Sequence, residues 1–227
     1  MPPRALEPAG VALVDKPAGP SSFAVVAQIR RRTGARTGHA GTLDPFATGL
    51  LLLLSGRTTK LAPWLVGLDK RYLTDVDLTA RTSTGDPEGV VVETLEAPAE
   101  SVLAERLALL RGEIELPIPA ASAVKIGGER AYRLARRGVE VEMPLRRSTV
   151  YALDVIAYRD DIVTLDMRVS SGTYVRAIAD ALGGHCRTLR RTEVGPFSVA
   201  DAVGPAAFEP GVLLTEADVL ARIGVRA

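Results

Sequence analysis

Five consecutive leucines at positions 50–54 constrain this chain more than any other feature. Such a run shows neither the two-residue period of a half-buried strand nor the 3.6-residue period of an amphipathic helix, so it is buried on every side. It is a buried strand or a short buried helix, and either one must be covered by further layers. No uninterrupted apolar run exceeds five residues, far below the roughly 20 that a membrane-spanning helix requires. With 227 residues, 47% hydrophobic and 24% charged, the chain can build those layers, and we expect a soluble globular protein. Its first residues lack the apolar stretch of a secretory signal, and the single Cys186 cannot form an internal disulfide. Both point to the cytoplasm.

Around the leucines the pattern is mixed. Residues 10–15 read as a short strand, and Ser21 and Ser22 supply an N-cap for a helix over 23–32 that Thr33 and Gly34 end. Residues 34–45, rich in Gly and Thr, read as a loop in which a packed helix or central strand is not expected. Residues 58–66 are helix-compatible, 72–79 alternate like a strand with one wet face, and 85–89 form a turn. Leu103, Leu107 and Leu110 predict an amphipathic helix over 99–111. A second helix is expected over 129–137, with Arg130, Arg133 and Arg137 on one face and Ala131, Leu134 and Ala135 on another. Residues 150–158 and 162–170 read as an antiparallel pair, and Gly172 and Thr173 open a helix that runs to Leu182. Without a βαβ rhythm, the expected class is α+β: a mixed, mostly antiparallel sheet flanked by helices.

The net charge of +1 argues against a uniformly basic nucleic-acid binder, yet the charge is uneven. Residues 28–71 carry eight Lys or Arg against Asp44 and Asp69, and 125–147 carry seven against three Glu. A polyanionic partner fits these segments, and so do ordinary solvated helix faces.

The strongest motif runs from Gly38 to Leu51 and contains Gly41-Thr42-Leu43-Asp44-Pro45, then Ala47 and Gly49-Leu50-Leu51, with Gly56-Arg57-Thr58-Thr59-Lys60 after it. Further motifs are Val14-Asp15-Lys16-Pro17, Ser21-Ser22, Lys70-Arg71-Tyr72, Ser122-Ala123-Val124-Lys125, Gly128-Glu129-Arg130-Ala131-Tyr132, Gly172-Thr173-Tyr174-Val175-Arg176 and Leu189-Arg190-Arg191. Together, over residues 10–198, they resemble the TruB pseudouridine synthases. The resemblance implies the pseudouridine synthase fold and an isomerase that converts uridine 55, in the T loop of tRNA, to pseudouridine. The base would be flipped out, cut from its ribose, turned and rejoined through carbon, with no metal and no cofactor.

On that resemblance Asp44 is the catalytic carboxylate, which either attacks the nucleotide or removes a sugar proton. Arg176 matches the cation set against it, although helical spacing alone pairs Arg176 with Asp180. Tyr72 matches the tyrosine that stacks on the target base and takes part in removing its C5 proton. Tyr174 matches a wall of the site, Leu189 a side chain packed on the uracil, and His39 the residue that fills the gap left by flipped nucleotides. Lys16 matches a lysine beside the site and is assigned to binding. The expected partner is the T arm of tRNA, without guide RNA or membrane, and the default state is a monomer. Residues 1–203 are expected to form the catalytic domain. Residues 204–227 would be a short C-terminal tail with one helix over 213–223 and no complete PUA domain. A noncatalytic RNA-binding protein is the first rival reading, which the presence of Asp44, Tyr72 and Arg176 disfavours. A hydrolase is the second, but His39 and His185 are the only histidines and no base is apparent that would activate water.

Overall fold

The computed structural model describes residues 8–225 apart from 123, 138 and 140. The expectation for the first seven residues lies outside these, as do the side chains of Tyr132, Ala135 and Arg136. Two compact units are present, one made of residues up to 72 with those from 190 onward, the other of residues 73–189.

In the first unit, strand β1 (Gly10–Lys16) leads to helix α1 (Ser22–Thr33), strand β2 (Thr37–Ala40) and strand β3 (Thr48–Ser55). The leucine run is therefore a strand. Antiparallel β1 pairs with all but the first residue of β3, from Gly10 opposite Ser55 to Lys16 opposite Gly49. The absence of a period has a direct cause: Leu50, Leu52 and Leu54 pack with Val11, Leu61, Phe197 and Val219, while Leu51 and Leu53 pack with Val14, Val25, Ile29 and Phe208. Helix α1 begins where Ser21 accepts a hydrogen bond from the Ala24 amide and ends at Gly34, whose φ of 66° is open to glycine at little cost. Within the expected loop, Thr37–Ala40 instead forms β2, antiparallel to β3. Its four residues have little strand propensity of their own, and the ladder offered by β3 overrides it. The helix expected over 58–66 is a 3-10 segment, Gly56–Leu61, followed by α2 (Ala62–Gly67). Pro63 has no amide hydrogen to donate and sits only in a first helical turn, so the α-helix starts beside it. Strand β4 (Lys70–Asp77) buries alternate residues as expected and carries the chain into the second unit.

There, β5 (Ala80–Thr82) and β6 (Val91–Thr94) form a hairpin, and α3 (Glu100–Leu109) buries Leu103 and Leu107. Strand β7 (Gly112–Pro117) follows, then a small hairpin of β8 (Lys125–Ile126) and β9 (Glu129–Arg130), then α4 (Ala131–Arg136). Glu129 and Arg130 thus belong to a strand and not to the helix expected over 129–137, because the Gly127-Gly128 turn folds them back onto Lys125 and Ile126. Arg137 is paired with Glu129 at 2.8 Å. Strands β10 (Leu145–Arg159) and β11 (Ile162–Val169) are antiparallel as expected, and positive φ at Asp160 and Asp161 gives the tight turn that suits the strand twist. The sheet order here is β4-β11-β10-β7. Helix α5 (Val175–Leu182) is almost wholly buried and ends at Gly183, after which β12 (His185–Val194) returns the chain to the first unit.

On its return, β12 runs parallel to β3, with Arg190 opposite Thr48 and Arg191 opposite Gly49. Strand β13 (Phe197–Ser198) pairs back on β12. Helix α6 (Glu216–Arg222) starts at a reciprocal cap between Thr215 and Asp218. Phe208, Val219 and Leu220 are buried in the first unit, and Val11 and Leu214 exchange two main-chain hydrogen bonds of 2.9 Å. Among the described residues no helix is long and apolar enough to cross a membrane. The class is α+β with a mixed, mostly antiparallel sheet.

Candidate active site

Asp44 lies in the short loop between β2 and β3, half-buried, at the head of a turn in which the Ala47 amide donates to the Asp44 carbonyl at 3.2 Å. A carboxylate that must be held in one place needs a rigid loop, and four residues distant in sequence supply it. Ser22 at the start of α1 accepts from the Leu43 amide and donates to the Leu43 carbonyl, both at 2.9 Å. The Gly19 amide donates to Pro45 at 2.8 Å. Lys16, at the end of β1 and 0% exposed, donates to the carbonyls of Pro17 and Pro45 at 3.0 Å and of Ala47 at 2.6 Å. Arg191, 1% exposed, donates to Gly41 at 3.1 Å, to Thr42 at 3.5 Å and to Leu50 at 2.7 Å. Both sides of Asp44 are thus tied through main-chain oxygens to buried cations. Lys16, expected as a binding residue, here braces the loop through these three hydrogen bonds.

Gly49 makes this arrangement possible. Its φ is 100°, and a β-carbon there would lie 2.2 Å from the Arg191 carbonyl oxygen. Only glycine lets β12 come close enough for the Arg191 side chain to reach the loop.

His39, on β2, has its ring edge-on to Phe23 with centroids 5.2 Å apart. Burial, and then the Arg191 guanidinium, hold His39 below its ordinary value, with the Gly41 main chain acting the other way. The imidazole is therefore neutral at pH 7. Burial also lowers Lys70 to about 8, helped by Arg191 and opposed by Asp69, while its ammonium donates to the Val66 and Leu68 carbonyls at 2.5 Å. Tyr72 lies two residues along on the same buried face of β4. Asp15, beside Lys16, is held by both terminal nitrogens of Arg190 at 3.1 and 2.8 Å.

Tyr174, Arg176 and Leu189 belong to the second unit. Arg176, in the first turn of α5, is buried and paired with buried Asp86 at 3.2 Å. It also donates to the carbonyls of Thr84 at 2.7 Å and Ala121 at 3.0 Å. The pairing of Arg176 with Asp180 allowed by spacing gives way to Asp180 facing Arg81 at 3.4 Å. Tyr174 caps α5 and lines a small cleft with Ile114, Pro117 and Arg146. Leu189 is buried on β12. The roles of Asp86 and Arg191 carry no signature in the sequence. Asp86 lies in the turn expected over 85–89, and the partners of Arg191 are carbonyls, which carry no residue signature.

Residues 30–175 match the family model described as TruB family pseudouridylate synthase (N terminal domain). The chain is 46% identical over 224 residues to tRNA pseudouridine synthase B of Leifsonia xyli subsp. xyli, covering 92% of this chain and 74% of the relative. It is 46% identical over 207 residues to the protein of the same name from Corynebacterium glutamicum (strain R), covering 85% and 69%. The fold is similar to a chain in the crystal structure of a Cbf5-Nop10-Gar1 complex, with a TM-score of 0.65 and 28% identity over 83% of this chain. The present chain spans half the length of that one. The motif loop around Asp44, its buried supports and the extent of this similarity lead to one assignment: the chain belongs to the TruB family of pseudouridylate synthases.

Proposed function

We propose that this isomerase acts on tRNA and converts uridine 55 of the T loop to pseudouridine. The observation that carries the reading is the Asp44 loop, pinned from both sides by Lys16, Ser22 and Arg191 in a chain whose relatives are tRNA pseudouridine synthase B. The reaction breaks the N1–C1′ bond, turns the uracil, forms C5–C1′ and releases the C5 proton, so substrate and product are isomers and no oxidant or reductant enters. Ionised Asp44 supplies the essential carboxylate, as nucleophile or as base toward the sugar. Tyr72 stacks on the base and assists loss of the C5 proton, and Tyr174 and Leu189 wall the uracil. Arg176 is the cation of the set, with Asp86 fixing its guanidinium. His39 stacks where the flipped nucleotide leaves a gap. Lys16 positions the loop. Residues 1–203 hold all of these side chains, with 204–225 completing the packing of the first unit, and the chain works in the cytoplasm as a monomer without cofactor or guide RNA.

The test is release of tritium from a tRNA transcript made with 5-tritiated uridine. Wild type is expected to release one equivalent per tRNA, and Asp44→Asn none above background. A wild-type protein that binds the transcript and releases nothing removes the reading.

A further inference from the structure

Between α1 and β2, within the first unit, lies an open groove of about 550 Å³, in the size range of single-ligand sites. Its walls come from the helix face that carries Phe23, Val26, Ala27 and Arg30 and from Gly38 and His39 on the strand. Phe23 is 71% exposed although it stands in the first turn of a helix whose Val25, Val26 and Ile29 are buried. Its only aromatic neighbour among the described residues is His39, edge-on, so the face of one ring of the pair stays open to a third flat group. Helix α1 itself is basic: it has no acidic residue in its first turn and Arg30, Arg31 and Arg32 in its last, with Arg36 just beyond. Arg32 is occupied by the Phe208 carbonyl at 2.8 Å, whereas Arg30 lines the groove.

We propose that this groove is a binding site for a second, unreacting nucleobase of the substrate RNA, stacked on Phe23, with Arg30 taking the adjoining phosphate. A base offers the π-face that an exposed ring accepts whatever its sequence, and its backbone offers the negative charge that the arginines match. An apolar peptide would use the walls and leave the arginines without purpose. The neutral imidazole of His39 suits the same role, because it adds a stacking edge without needing a counter-ion. The inference rests on the proposal that the substrate is tRNA and adds where a further base of it sits.

The experiment measures affinity for an unmodified tRNA transcript at fixed salt, using the full chain and Phe23→Ala, Phe23→Leu and Phe23→Tyr. Pseudouridine formation at saturating RNA is followed in parallel. Loss of one base–aromatic stack corresponds to roughly tenfold weaker binding. We expect that loss for the Ala and Leu variants, near wild-type binding for Tyr, and the deficit in KM more than in the saturated rate. Transcripts with single abasic positions in the T arm should include one that binds wild type and Phe23→Ala equally, which identifies the stacked base. Phe23→Leu binding like wild type would mean that the ring face is not used and would overturn the proposal. Capture of an apolar peptide in competition with RNA would overturn it as well. A wild-type protein that makes no pseudouridine, yet loses RNA affinity on Phe23→Leu, would remove the proposed function and leave the groove assignment standing.

Discussion

At the scale of single residues, the Asp44 loop is held by buried cations. Lys16 and Arg191 hold main-chain oxygens on either side of Asp44, and replacing either by Met leaves buried carbonyls unsatisfied. Each variant should lose about 3 kcal/mol of stability, read from the urea midpoint, and activity should fall by more than the folded fraction does. Arg191→Lys should not restore the loop, because one ammonium cannot reproduce a fork that reaches Gly41 and Leu50 together. Gly49→Ala should be at least as damaging, since the added carbon meets backbone and not a movable side chain. Stability like that of wild type in these variants would contradict the bracing role. The residues proposed to carry chemistry were legible because they stand in motifs, whereas the partners of their supports were not. Lys16 was readable only as a motif member, and the link between Arg191 and Gly41 spans 150 positions with no chemical mark on the acceptor.

At the scale of elements, local signals and tertiary ones separate cleanly. The ends of α1 could be read because Ser21 and Gly34 act on their own backbone, and Ser21→Ala should cost about 1 kcal/mol. Strand β2 could not, because Thr37–Ala40 becomes a strand only when β3 lies beside it, and the β8–β9 hairpin was hidden inside a pattern that also suits a helix. Strand β4 gives a pH dependence. Lys70 stands near 8 in the fold against an ordinary 10.5, so between those values the unfolded chain holds a proton that the folded chain has released. Stability contributed at this site is therefore present above about 10.5 and lost as pH falls through 8. Compared with Lys70→Met, wild type should gain stability on the order of 3 kcal/mol from pH 7.5 to 10.5, read as the difference in denaturant midpoints. A difference that is flat with pH would refute the assignment.

At the scale of the whole molecule, the leucine run demanded layers on both faces, and the first unit supplies them from both ends of the chain. Phe208 closes one face, and Val219 and Leu220 of α6 join the other, so residues 204–225 are part of that unit's packing. Removing residues 204–227 should lower the melting temperature by well over 5 °C and slow tRNA modification in proportion to the unfolded fraction. An unchanged melting temperature would show that the described packing contributes little. The α+β class followed from the order of strands and helices, but the division into two units, with β4 and β12 as the crossing strands, left no trace in composition or linkers. The most direct measurement of the central claim maps pseudouridine at nucleotide resolution on an unmodified tRNA transcript incubated with the purified chain, with Asp44→Asn beside it. The account predicts conversion at uridine 55 by wild type alone, without added metal or cofactor. Conversion at another uridine only, or equal conversion by both proteins, would contradict it.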